Sequence, residues 1–352
     1  MKRWMHFSRW LTGLFSCMPL ILQAGSTIWN GPEEGPPRQP GMHIIYLADT
    51  MQNGGISGVY RGLQQASQCL GWKLSYLDSN SVHEKLISQF NQAVAEHADA
   101  IVLGGINSDA IKPAIQAAKS AGIIIAGWHA QARAGASDDL VTNITTEADQ
   151  VATMAAQFII EHSSGEVGVV ILNDARFDIA NAKTAKMQEV INSCSRCSVL
   201  SVENVPITES DARMRDLVPH LNQQFGSRWT HTLAINDIYF DHINYPLRTI
   251  NRLDIRNVSA GDGSAKAISR IISGRSQQVA TIAEPLNQQG WQLADELNRA
   301  FAKAPASGYI APPILITTGS TLQKDTAAGE AESNIFYKQY YRKIWGCTPS
   351  SP

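Results

Sequence analysis

The chain has 352 residues and a formal net charge of −2, with acids and bases interspersed, which argues against nucleic acid or an anionic membrane as a partner. The roughly 300 residues that follow a short proline-rich lead suit one large domain or two lobes.

The first elements set the compartment. Lys2, Arg3 and Arg9 form a basic start, 11–22 is mostly apolar, and Leu22-Gln23-Ala24 offers a small residue for cleavage. That layout is expected of a secretory signal peptide over 1–24, because the apolar run is too short to span a bilayer. Cys17 raises lipoprotein processing as an alternative, but Phe15 is bulky for it and the apolar stretch runs on to Leu22. "NGPEEGPPRQPG" (30–41) lacks helix and strand character, so 25–42 is expected to be a flexible lead.

From residue 43 two periods alternate. "HIIYLA" (43–48) predicts a strand, and Val59, Leu63, Ala66 and Leu70 predict a helix over 56–70 that ends at Gly71. A strand at 73–77, a helix over 84–97 and a strand at 100–103 follow. Ser108-Asp109 caps a helix to 121, and 123–126 is a strand running out into Gly127, Trp128 and His129. After a strand at 141–144 the pattern restarts: helices over 148–162, 178–192, 211–224, 239–249, 264–273 and 287–303. Strands at 167–172, 198–202, 231–235, 256–260, 278–283 and 313–318 accompany them, before a polar C-terminal segment. Such alternation means parallel sheets built from right-handed βαβ units. The fold class expected is α/β, with two Rossmann-like, doubly wound lobes joined by a hinge.

Ligands of open α/β sheets sit beyond the carboxyl ends of the strands. The residues there are Asp49 with Asn53, Gly104-Gly105, Trp128-His129, Asn173-Asp174, Asn236-Asp237, Gly261-Asp262 and Glu284. Trp128 can stack on a ligand with its indole N–H turned outward, or pack as a plate under a loop. His129 can serve a hydroxyl or pair with a carboxylate. Asp262 and Glu284 can accept from vicinal hydroxyls or act as an acid/base pair. Gly261 and Gly263 favour the first reading, because they suit a tight turn against a ligand. One side chain of Asn236-Asp237 is expected to cap the next helix, with Asn236 facing the ligand and Asp237 as the cap. Phe177 is divided between closing over the ligand and plain core. Gly104-Gly105 lacks the spacing of a phosphate loop, so no nucleotide cofactor is implied.

Four cysteines follow the signal segment. Cys194-Ser-Arg-Cys197 has no second ligand pair for zinc and closes a helix before a strand, unlike a redox motif. In an oxidising compartment it is expected to be a local disulfide. Cys69 and Cys347 either pair or stay free.

Three stretches, "DAIVLGGINSDAIKPAIQAAKSAGIII", "LAINDIYFD" and "VSAGDGSAKAISRIISGRSQQVATIAEPLNQQG", together resemble the type I periplasmic binding proteins, in the ribose-binding-like, sugar-type branch of ABC importers. The tail "YKQYYRKIWG" resembles the closing helix of many of them. The resemblance implies an N-terminal lobe of 43–143 plus 286–313, a C-terminal lobe of 144–285 plus 314–346, and a tail at 347–352. It implies ligand contacts from Asn53, Trp128, His129, Lys183, Asn236, Asp262 and Glu284, to which Phe177 is added as a possible closing residue. Trp128-His129 stands where relatives often carry an Asp-Arg pair, so the ligand need not be ribose. The implied function is an exported protein, not an enzyme, that closes on a sugar or sugar-like polyol and hands it to an inner-membrane ABC permease. No metal is implied. Handing the closed form to a membrane receptor kinase is the alternative, and a sugar-acting enzyme the third reading.

Overall fold

A computed structural model describes residues 29–320 and 336–347; the expected signal segment, with Cys17, lies outside them. The first sheet is built from β1 (His43–Ala48), β2 (Lys73–Asp78), β3 (Ala100–Gly104), β4 (Ile124–Trp128) and β5 (Asn143–Ile144), with α1 (Gly54–Leu70), α2 (His83–Ala95) and α3 (Lys112–Ser120) between them. Then come α4 (Ala148–Glu161), β6 (Val167–Asn173), α5 (Asp178–Asn192), β7 (Cys197–Asn204), α6 (Ser210–Phe225), β8 (His231–Ala234), α7 (Tyr239–Thr249), β9 (Arg256–Ser259), α8 (Ala265–Ile272) and β10 (Gln278–Ala283). The chain ends in α9 (Leu286–Phe301), β11 (Ile314–Thr317) and α10 (Tyr337–Trp345).

The strand orders are β2-β1-β3-β4-β5 and β11-β10-β9-β8-β6-β7. All pairs between these strands are parallel except β10–β11, which is antiparallel. In both sheets the order reverses beside the earliest strand, and there the carboxyl ends open a crevice between diverging helices. The central strands are buried on both faces, as apolar runs such as Val167–Asn173 require. Among the described residues, no helix is long and apolar enough to cross a membrane.

The chain passes between the sheets at 145–147, at 284–285 and again over 302–313. The middle passage sends α9 back onto the first sheet, where it packs against α1. Close approach there is possible because Gly62 and Gly290 carry no Cβ: one at either position would overlap backbone of the facing helix.

Two expectations are corrected. The 25–42 lead was expected to be flexible, yet its described part is tied down. Trp29 is buried, Gln39 N donates to Asn298 Oδ1 at 2.8 Å, Arg299 Nη2 donates to Glu34 O at 2.6 Å, and Trp72 Nε1 donates to Gln39 O at 2.7 Å. Proline withholds ladder donors but leaves carbonyls, and α9 supplies the donors they need. Second, the segment 314–346 was expected in the second lobe. β11 joins that sheet, but Tyr337, Tyr341 and Trp345 of α10 are buried in the first-lobe core, with Trp345 stacked on Trp291 at 5.4 Å. Their four-residue spacing makes one aromatic stripe, which α9 and Trp29 cover. A Cys69–Cys347 disulfide fastens α1 to the second residue after this helix, with Cα atoms 5.9 Å apart. Cys194 and Cys197 are bridged between α5 and β7, with Cα atoms 5.2 Å apart.

Candidate ligand cleft

Between the carboxyl ends of the two sheets lies a cleft with about 510 Å³ of empty space, part of it open to solvent. The sequence-predicted residues Asn53, Trp128, His129, Phe177, Lys183, Asn236 and Asp262 all line it. Glu284 does not. It is fully buried behind the cleft, and its role is corrected accordingly.

Glu284 lies at the second passage between the lobes and gathers partners from both. His129 Nε2 approaches its carboxylate at 2.9 Å, Gln289 Nε2 donates at 2.8 Å, the Thr146 backbone N–H at 3.3 Å, and Lys183 Nζ at 3.4 Å. Burial opposes ionisation of this carboxyl, but the His129 and Lys183 charges and the donated hydrogen bonds outweigh it and hold the pKa well below the usual range. With four donors converging, Glu284 has little capacity left for a ligand. It positions one side chain from each lobe.

Trp128 is the last residue of β4 rather than part of the loop beyond residue 126, and it is buried. The stacking reading turned its indole N–H outward; it donates instead to Gln289 Oε1 at 2.8 Å. Gln289 in turn donates to Glu284, so a hydrogen-bonded relay connects tryptophan to hinge. The His129 ring stacks on the indole with centroids 3.8 Å apart and planes 9° apart. His129 has φ +51, an uncommon conformation for a non-glycine residue, held by its N–H donating to Ile144 O and by Ala130 N donating to Asn143 Oδ1. Trp128 thus belongs to the first-lobe core and to the cleft wall at once.

Asn53 and Asn236 also do two things. Asn53 Oδ1 caps α1 by accepting from Gly55 N at 2.8 Å and Ile56 N at 3.4 Å. Asn236 Oδ1 accepts from Ile238 N at 2.9 Å, and its Nδ2 donates to Asp262 Oδ2 at 2.5 Å. Asp237 is not the helix cap expected of it. Its Oδ2 accepts from Gly263 N at 2.7 Å and its Oδ1 from Gln278 Nε2 at 2.6 Å, so it braces the Gly261–Gly263 turn. Burial, with a smaller push from Asp262, raises its carboxyl to about 6.

In that turn Gly261 and Gly263 have φ +117 and +82, and a Cβ on Gly263 would overlap Ala283. Both glycines are therefore required to bring Asp262 to the cleft. Burial pushes the Asp262 carboxyl up, against the pull of the His129 and Lys183 charges. Across the cleft Asp262 lies against Gly55 of α1, where any side chain would collide with it. Asn107 Nδ2 also donates to Asp178 Oδ2 at 3.2 Å from one lobe to the other. The two lobes are closed on each other.

His129, Asp262 and Glu284 bring donor atoms within 4.8 Å of one another, a spacing that a cation could bridge. Lys183 Nζ and His129 Nε2 already occupy the Glu284 carboxylate, so the donors are spent on one another. Sequence reasoning missed Gln289, which follows Glu284 by five residues in the first turn of α9. It also missed the apolar walls Ile56, Ile179, Ala180, Ile207 and Ile235, whose side chains carry no polar signal.

The profile of the family described as the periplasmic binding protein domain matches residues 44–304. No curated protein matches in sequence. Among solved structures, the chain is similar to an ABC transporter solute-binding protein from Agrobacterium vitis with bound allitol, at 18% identity and TM-score 0.68, over 79% of this chain and 96% of that one. It is similar to one from Mycobacterium smegmatis with bound glycerol, at 15% identity and TM-score 0.72, over 83% and 100%. The Caulobacter myo-inositol binding protein, bound to myo-inositol, is 15% identical with TM-score 0.68, over 80% and 95%. These likenesses are to the two-lobed type I fold, and the family is one of solute-binding proteins rather than enzymes. By its sequence from Ile44 to Ala304, this chain belongs to the periplasmic binding protein domain family.

Proposed function

We propose that this protein is exported, closes on one small sugar or sugar-like polyol, and delivers it to an inner-membrane ABC permease. The observation that carries this is the cleft itself, which Trp128 and His129 line from one lobe and Lys183, Asn236 and Asp262 from the other. A ligand touching both sides stabilises the closed population, and closure is what a partner can recognise. The allitol, glycerol and myo-inositol bound in the structural relatives favour a hydroxylated ligand.

Calorimetric titration with hexoses, 6-deoxyhexoses, hexitols and inositols tests the reading, with small-angle scattering to follow compaction. At least one of these solutes should bind and compact the protein, without turnover. A charge-assisted hydrogen bond is worth about 1.5–3 kcal/mol, so Asp262→Ala should weaken that binding roughly ten- to a hundredfold. Trp128→Ala should cost a similar factor through the lost aromatic wall. Absence of binding by every sugar and polyol sinks the proposal. Export predicts a mature N-terminus near Gly25; mass spectrometry finding Met1 retained, or a lipid on Cys17, contradicts that part.

A further inference from the structure

We propose, resting on the sugar-binding reading above, that the cleft selects a ligand hydroxylated at one end and hydrocarbon at the other, of the deoxy-sugar class. The walls carry the argument. Helix α5 presents Ile179, Ala180 and Lys183 to the cleft, on one helical face. Lys183 reaches the hinge carboxylate Glu284, so it marks the deep end, together with His129, Asn236 and Asp262. One turn nearer the mouth, about 5.4 Å along the axis, the same face is hydrocarbon. That distance is close to the width of one pyranose ring.

Much of the remaining lining is hydrocarbon as well, beside the polar Asp49, Thr50 and Asn53. Ile207, from the segment after β7, and Ile235, at the end of β8, line the second-lobe side, and Ile56 of α1 lines the first-lobe side. Phe177, just before α5, lines this cleft and a neighbouring pocket too. The polar side chains on the first-lobe side are partly committed elsewhere. Asp49 Oδ2 accepts from Ser81, and Asn53 Oδ1 accepts from two backbone N–H groups. A hydroxyl placed against the isoleucines would lose water without gaining a partner, whereas a methyl group there loses nothing. Allitol and myo-inositol, by contrast, carry a hydroxyl on every carbon.

The test is calorimetric titration of the mature protein with matched pairs: D-fucose and D-galactose, 6-deoxy-D-glucose and D-glucose, L-rhamnose and L-mannose. A pocket lined with hydrocarbon rejects an added hydroxyl by on the order of ten- to a hundredfold. In at least one pair the deoxy sugar should therefore bind at least about tenfold tighter than its parent. Ile207→Thr and Ile179→Asn, which supply a hydroxyl or an amide at the wall, should narrow that ratio while leaving the deep-end contacts in place. The wild-type ratios need no variant, so the proposal is decided even where a variant folds poorly. Parents binding as tightly as their deoxy partners in every pair that binds would overturn this inference and leave the sugar-binding reading intact. A preference that persists unchanged in two folded variants would overturn the assignment to this wall. Absence of binding by every sugar and polyol overturns both readings.

Discussion

The two lobes share one topology but are held together differently. The first lobe is gathered from distant stretches: the 29–42 lead, β1 to β5 with their helices, α9 and α10. Its core is split into two clusters on the two faces of the sheet. The second lobe is nearly all one continuous stretch, α4 to β10, around one large cluster and a small one of Ile268, Ile271, Ala283 and Ile316, with β11 added at the edge. The disulfides follow the same division: Cys69–Cys347 spans 278 positions, Cys194–Cys197 only three. The first lobe therefore depends on long-range closure, and the second on local contacts. The contrast suits a platform that receives the returning chain, facing a second half that brings Lys183, Asn236 and Asp262 to it.

The largest expected effect compares the two bridges directly. Constraint of the unfolded chain grows with loop length, giving on the order of 5 kcal/mol for the long loop and about 2 kcal/mol for the short one. Cys69→Ser with Cys347→Ser should lower unfolding free energy in urea by far more than Cys194→Ser with Cys197→Ser. In the oxidised protein, thiol labelling under denaturing, non-reducing conditions should leave all four unmodified. Equal losses from the two double variants would dissolve the contrast between the lobes.

Next in size is Glu284, where the lobes meet. Glu284→Ala removes the acceptor shared by His129 and Lys183, which are buried. Breaking a buried ion pair from one side typically costs about 3–5 kcal/mol. Its folded carboxyl is held below the unfolded value, so the contribution is present above the unfolded pKa and fades only as pH falls through the lower folded one. Ionisation of this carboxyl should therefore add little pH dependence of its own between pH 5 and 7. A change under about 1 kcal/mol in urea titrations would show that the two lobes do not depend on this carboxylate.

The alternation of periods made the two parallel sheets legible, because buried strands and amphipathic helices leave unmistakable spacing in Val59, Leu63, Ala66 and Leu70 or in Val167–Asn173. The strand-end rule placed Trp128, His129, Asn236 and Asp262 near one another without any knowledge of distance. It could not tell Glu284, which is sealed behind the cleft, from Asp262, which lines it, since both follow a strand. That distinction depends on which donors converge: Thr146 comes from another passage of the chain, and Gln289 from the helix that follows Glu284. The lobe to which α10 returns was equally hidden: Tyr337, Tyr341 and Trp345 announce a buried stripe but not its partner.

The smallest effect separates two groups in the second lobe. His231 opens β8 and Asp237 lies just beyond its end. Burial, aided by Arg256 and Arg196, depresses His231 to about 4, whereas burial raises Asp237 to about 6. The unfolded histidine binds its proton more tightly than the folded one, so His231 favours folding at pH 7 and loses that advantage as pH falls through about 6.5 toward 4. For Asp237 the folded form holds the proton more tightly. Its contribution is present below the unfolded pKa near 3.8 and is lost as pH rises through about 6. Between pH 5 and 7 these terms oppose each other, at about 1–2 kcal/mol for His231 and about 1 kcal/mol for Asp237. Thermal unfolding of wild type alone cannot separate them, but single variants can. His231→Gln should raise stability at pH 5 relative to pH 7, and Asp237→Asn should lower it, each measured as the change in the pH 5 to pH 7 difference. Asp49, Asp295 and Glu296 of the first lobe also have raised carboxyls, and they cancel in these differences because both variants retain them. Shifts of the same sign in both variants would mean that the two ends of β8 are not balanced in this way.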